Sequence, residues 1–367
     1  MTSSRLHTVA LVLSLLVLPA CLEDGPAKIA WNDEPRALDD GWEIGAPEDH
    51  GFDREKLREA FRPFFSEDEL VPAISLLVIR DGVLVAEGYA RDLGDVHRKN
   101  AIMSATKSVT SLVAGIAIDR GLLDPERPLR ELLPAQVAGL DERKARITLP
   151  DLLTMRSGLD FSNDDFSMAM AHEVKRDGLR YILERPLGAE PGTRFAYQDC
   201  DPHLVSGAIQ AATGKTLAAF ADETLLGPLG IRDRRWLAHG DGVTYGPYGL
   251  YLKPRDFAKL GLLALRGGRW GDRQLVSPSW MLASTTARVF PSDPVSLTGL
   301  GYGFYWWVRP EARAFFAWGH GGQYLYVVPE DDLLVVLTAE PDTNIDGGDI
   351  WPEAFFGLAD RVVDSLR

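Results

Sequence analysis

The chain has 367 residues, 46% hydrophobic and 25% charged, enough apolar material for one large domain or two modest ones. A formal net charge of −14 without any Lys/Arg cluster repels phosphate backbones and speaks against a nucleic-acid partner. Two cysteines, Cys21 and Cys200, and seven scattered histidines without CxxC or HExxH spacing point to no metal, and no cofactor is implied.

In chain order, Arg5 precedes an apolar run from Val9 to Leu18 that ends at Pro19-Ala20-Cys21. About ten apolar residues are too few to span a hydrocarbon core of roughly 30 Å, but they suit a signal peptide over residues 1–20. Leu18-Pro19-Ala20-Cys21 is similar to a bacterial lipobox, although Pro19 departs from that pattern. The expectation is an exported protein of the bacterial cell envelope, held to a membrane by a lipid on Cys21. Residues 21–49, polar and aperiodic, read as a tether. Residues 50–367 are then the folded domain.

Ala73 to Arg80 and Val83 to Ala90 are apolar runs joined by Asp81-Gly82, a hairpin signal. Helical spacing follows in Ser108 to Asp119, Leu204 to Ala212, Leu217 to Leu225 and Asp256 to Leu265. Gly121, Gly214 and Gly267 stand where helices end. Four β-rich runs come next: Tyr302 to Val308, Ala314 to Trp318, Gln323 to Val328 and Leu333 to Ala339. Trp351 to Leu366 returns to helical spacing. Strands at both ends with helices between predict an α+β fold: an antiparallel sheet flanked by helices, with an inserted helical subdomain.

Ser104-Ala105-Thr106-Lys107 carries the first chemistry. A serine hydroxyl needs a base at the moment of attack, and a lysine three residues later on a helix shares its face. Burial is expected to lower the lysine pKa and free the amine. A serine in the first turn also directs its own N–H at an oxyanion. S-x-x-K spacing alone equally fits a helix cap followed by a surface lysine. Gly214-Lys215-Thr216 lacks the first glycine of a P-loop and reads as a helix stop. No G-x-S-x-G elbow occurs.

Two further elements are ordered behind the serine: Tyr197-Gln198-Asp199, followed by His203-Leu-Val-Ser-Gly207, and Trp318-Gly319-His320-Gly321-Gly322-Gln323. Together with Leu152 to Leu159 and Leu252 to Asp256, they resemble the serine β-lactamase and penicillin-recognising superfamily over residues 50 to 366. The likeness is to its class C-like branch, on the esterase and 6-aminohexanoate-dimer hydrolase side. It implies catalytic roles for Ser104, Lys107, Tyr197 and His320, and oxyanion donors in the backbone N–H groups of Ser104 and Gln323. Asp199, Gly321, Gly322, Phe161 and Trp318 would line the substrate pocket, with Phe161 to Met170 as a variable loop above it. Trp306 and Trp307 are further candidates for its wall.

Asp199 stands where the family usually has Asn. A carboxylate there would favour a charged Lys107, leaving two readings: Asp199 points elsewhere, or Tyr197 carries more of the proton transfer. The implied activity is acyl-enzyme hydrolysis of small carboxylic esters or amides. Alternatives are a β-lactamase, disfavoured by Asp199 and by His320 in place of Lys, a D-Ala-D-Ala carboxypeptidase, and a non-catalytic module binding cell-wall peptides.

Overall fold

The computed structural model describes residues 34–66, 70–173, 177–291, 299–341 and 349–366. The expected signal segment and lipobox lie outside the described residues. The first hairpin forms as its sequence predicts. Strand β1 (Ala73–Arg80) turns through Asp81 and Gly82, at φ +54° and +80°, into β2 (Val83–Tyr89). Two consecutive left-handed residues are what a two-residue hairpin turn requires.

From the other end of the chain come β3 (Gly301–Tyr302), β4 (Trp307–Arg309), β5 (Ala314–Gly319), β6 (Gln323–Val328) and β7 (Leu333–Ala339). All seven join one antiparallel sheet in the order β2-β1-β7-β6-β5-β4-β3. β1 lies against β7 with Val78 opposite Val335, so the two ends of the chain close the sheet. The single run Tyr302 to Val308 is instead two short strands. Tyr305 at φ +62° turns the chain between them, where its N–H bonds Leu153 O.

Helix α1 (Arg54–Phe65) starts at Asp53, whose carboxylate accepts from the N–H groups of Glu55 and Lys56. It packs against α5 (Pro352–Asp364). Helix α4 (Pro254–Leu265) lies on β6 and β7. Between β2 and β3 the chain forms the helical region, centred on α2 (Thr106–Asp119) and α3 (Cys200–Thr213). Both α2 and α3 are built of small and apolar residues around most of their circumference, and α2 is buried from Thr106 to Ala117. Such a helix sits inside a fold rather than on it. Gly214 ends α3 at φ +67°, and Thr216 caps the next helix, so Gly214-Lys215-Thr216 is a helix stop and start.

The polar stretch before residue 50 is not a free tether where it is described. Trp42 is buried and donates to Arg255 O at 3.1 Å, and Ile44 bridges to Leu84. The guanidinium of Arg255, at the start of α4, meets Glu87 of β2 at 2.7 and 2.9 Å and Asp40 at 3.0 Å. Glu87 also accepts from Arg36 N and from the Tyr89 hydroxyl, both at 2.9 Å. Arg255 and Glu87 are almost completely buried. Removing one member strands the other charge without water, so Glu87→Ala is expected to destabilise the fold by about 3 kcal/mol or more. Urea unfolding checks this; a shift under 1 kcal/mol would mean the network contributes little.

Candidate active site

A strained turn positions Ser104. Asn100–Ala101 pairs with Leu250–Leu252, and Ile102 N donates to Leu250 O at 3.0 Å. Met103 then adopts φ +46°, a conformation uncommon for any residue with a side chain. The chain swings into a short 3-10 turn, Met103–Ala105, which continues as α2. Ser104 therefore stands at the head of the helix, where backbone N–H groups lack intrahelical partners. Lys107 follows one turn later. Its Nζ donates to Ser104 Oγ at 2.8 Å and to Pro247 O at 3.2 Å.

The lysine is 1% exposed, yet burial does not neutralise it. Asp199 Oδ1 lies 2.6 Å from Nζ. Asp199 occupies the N-cap of α3 without capping it; its carboxylate turns to the lysine instead. The contact is one of charge rather than an aligned hydrogen bond. Burial presses the amine toward its neutral form. The charge of Asp199, and then Tyr197, outweigh that pressure and hold the lysine pKa above its ordinary value. The lowered pKa expected for Lys107 is thus reversed by Asp199, and the resting site is an ammonium–carboxylate pair.

Tyr197 completes the cluster. Lys107 Nζ is 5.0 Å from its ring centroid. The ring stacks on Trp307 at 5.7 Å and meets Tyr302 edge-on at 6.1 Å, which fixes the direction of the hydroxyl. Trp307 therefore backs the Tyr197 phenol, whereas Trp306 is buried against Phe315. Gln198 points the other way: its amide donates to Ser157 Oγ at 2.8 Å and to Asp201 Oδ1 at 2.9 Å. Burial pushes the Asp201 carboxyl up to about 7.

Strand β5 supplies the opposite wall. A Cβ on Gly319 would lie 2.3 Å from Ile102 O and 3.1 Å from Met103 Cβ, so only glycine lets this strand end reach the nucleophile's turn. His320 follows, half-exposed, with Nδ1 3.0 Å from Asp349 Oδ2. That hydrogen bond, opposed by partial burial, raises the imidazole pKa. Gly321 N donates to Asp349 Oδ1 at 2.6 Å.

Gly321 and Gly322 are needed for a reason other than substrate approach. A Cβ on the first would strike Pro341, and one on the second Ile350. Gln323 pairs with Gly319 across the hairpin, and its side chain is committed to β7, donating to Ala339 O at 2.8 Å. Trp318 stacks on Tyr324 and leans toward Trp307 and the exposed Trp351. Phe161 is buried against Phe166 and Tyr181, supporting the loop from within rather than facing a pocket.

A profile of the family described as Beta-lactamase matches residues 58–353. The chain belongs to the beta-lactamase family. It is 25% identical over 292 residues to 6-aminohexanoate-dimer hydrolase from Paenarthrobacter ureafaciens, spanning 74% of this chain and 73% of that protein. A family VIII carboxylesterase shares the fold with a TM-score of 0.68 at 18% identity, over 88% of this chain and 99% of its own. A class C beta-lactamase gives 0.66 at 13% identity, over 86% and 96%. The antiparallel sheet with flanking helices is the fold of this family, as expected.

For a beta-lactamase-family hydrolase, several supporting residues escape sequence inspection. Asn163 Oδ1 accepts from Asp199 N at 2.7 Å, and Pro247 offers Lys107 a carbonyl. Ser157 and Asp201 hold Gln198, while Asp349 holds His320. A backbone carbonyl carries no residue-type signal, and Asn163 is one polar loop residue among many. Asp201 alone had a hint, an acid in the first turn of an otherwise apolar helix.

Proposed function

We propose that this protein hydrolyses small carboxylic esters and amides through an acyl-enzyme on Ser104. The carrying observation is the 2.8 Å hydrogen bond from the buried Lys107 amine to the Ser104 hydroxyl, within a cluster that includes Tyr197 and Asp199.

A lysine held as ammonium cannot accept a proton until it gives one up. Asp199, 2.6 Å away, is placed to receive it. As Ser104 Oγ bonds to the substrate carbonyl carbon, its proton passes to Lys107 and a lysine proton passes to Asp199. Collapse of the tetrahedral adduct breaks the bond to the leaving group. Tyr197 protonates that group and is itself reprotonated by Lys107, which recovers its proton from Asp199. The leaving group departs with the hydrogen that Ser104 lost. Water repeats the sequence on the acyl-enzyme. Ser104 N–H and a main-chain N–H of the hairpin from Gly319 to Gln323 serve the oxyanion, with Gln323 the donor the family pattern implies.

Esters and linear amides rank ahead of β-lactams because Asp199 puts a carboxylate where the family's Asn would face the acyl amide of the drug. A non-catalytic binding module has no use for a serine hydroxyl bonded to a buried lysine. The Arg5 to Cys21 pattern supports export and lipid anchoring in the bacterial cell envelope. A fluorescent phosphonate is expected to label the protein at Ser104, located by peptide mass; absence of labelling under conditions where an esterase reacts would leave only the binding module.

A further inference from the structure

The loop expected to vary with substrate also grips the groups that hold Lys107. It comprises Phe161, the helix Asn163–Met168 and the wide turn Ala169–Glu173. Ser162 caps the helix, accepting from Asp165 N at 3.1 Å and donating to Asp165 Oδ2 at 2.7 Å. In its first turn, Asn163 Oδ1 takes the Asp199 N–H at 2.7 Å. The other backbone bond at Asp199 is the long one from His203 N to its carbonyl, 3.4 Å; its side chain makes no cap bond, and its backbone stands at φ −84°, ψ −18°.

Three residues on, Phe166 is fully buried. Its ring lies 6.2 Å from that of Tyr248 and 5.8 Å from that of His203. Tyr248 follows Pro247, whose carbonyl accepts the second lysine hydrogen bond. Residues 163–166 thus touch both segments that flank the amine, one carrying its counter-charge and one carrying its carbonyl acceptor.

We infer that Asn163 is a positioning residue for the proton relay: by accepting the Asp199 N–H at 2.7 Å, it keeps the Asp199 carboxylate 2.6 Å from the Lys107 amine. The inference rests on the Ser104 hydrolase reading. It gives the loop a role in reactivity as well as in shape, because a residue without an acceptor oxygen at position 163 releases the Asp199 N–H. The titratable groups facing Lys107 are Asp199 from the α3 N-cap and Tyr197 from the preceding segment. Among the described residues no other carboxylate pairs with its amine.

The test uses the intact protein and a nitrophenyl ester, whose leaving group needs no proton. Asn163→Ala is expected to lower kcat about tenfold at pH 7, the worth of one hydrogen bond, with KM within about twofold. The deficit should shrink steadily as pH rises above neutrality. The loosened lysine, buried with a weaker counter-charge, sheds its proton at lower pH than in wild type and then accepts directly from Ser104. Asn163→Asp, which keeps an acceptor oxygen, should recover kcat at pH 7 to within about threefold. Ser162→Ala loosens the same helix without touching Asp199 and should leave the pH dependence as in wild type. An unchanged kcat in Asn163→Ala, a deficit equal at all pH values, or the same pH signature in Ser162→Ala would overturn the inference. Phosphonate labelling of Ser104 would survive each of those results, so the hydrolase reading fails or stands separately.

Discussion

Ser104→Ala is expected to reduce kcat for a short-chain nitrophenyl ester by on the order of a millionfold, as loss of a nucleophile does in other serine hydrolases. The structure explains why the loss is chemical rather than structural. The Ser104 hydroxyl accepts from Lys107, and without it the amine keeps Pro247 O and the Asp199 carboxylate. The Met103 turn depends on backbone geometry and on Gly319, neither of which the substitution touches. Stability should therefore change by no more than about 1 kcal/mol. Residual turnover above solvent would come from the oxyanion donors, which remain. Retention of even a tenth of the activity would mean that another group carries the reaction and that the Ser–Lys contact is incidental.

Tyr197→Phe should separate substrates by leaving group. In the proposed cycle the phenol returns a proton to the departing atom, and an alkoxide or amide anion cannot leave without it. A nitrophenolate can. Loss of a positioned acid typically costs about 10²- to 10⁴-fold. That loss is expected for an alkyl ester or a linear amide, while the nitrophenyl ester should fall by no more than about tenfold. The ring itself stays packed, because Phe keeps the stack on Trp307 and the edge contact with Tyr302. Single-turnover acylation, which isolates the step, is the measurement of choice. Equal losses on both substrate classes would place Tyr197 in the removal of the serine proton instead. The relay through Asp199 would then be wrong, since it leaves that step to Lys107.

The charge state of Lys107 distinguishes this site from one with a neutral base. With its pKa held above the ordinary lysine value, the ammonium persists below that value and is lost only as pH rises through the higher folded one. The ion pair with Asp199 is accordingly intact across neutral pH on the lysine side. The proposed cycle then requires a proton shift within the pair as Ser104 attacks, which the 2.6 Å separation makes short.

Much of this protein is determined by local sequence pattern. Asp81-Gly82 between two apolar runs dictates a hairpin because two consecutive left-handed residues match the strand twist. Runs such as Gln323 to Val328 and Leu333 to Ala339 form strands at the expected bounds, since β-rich apolar segments between turn residues have few other uses. The Ser104–Lys107 contact is equally local, fixed by one helical turn.

The rest was decided only by tertiary structure. Whether burial or Asp199 governs Lys107 depends on a through-space distance between α2 and the head of α3, which sequence spacing does not encode. Residues before 50 look like solvent-exposed tether by composition, yet Arg255 draws Asp40 and the Arg36 backbone into a buried charge network. Gly321 and Gly322 look like room for substrate, but Pro341 and Ile350 fill the space their side chains would need. In each case the deciding partner lies far along the chain, and a buried charge or a close packing contact acts over a few ångströms regardless of that separation.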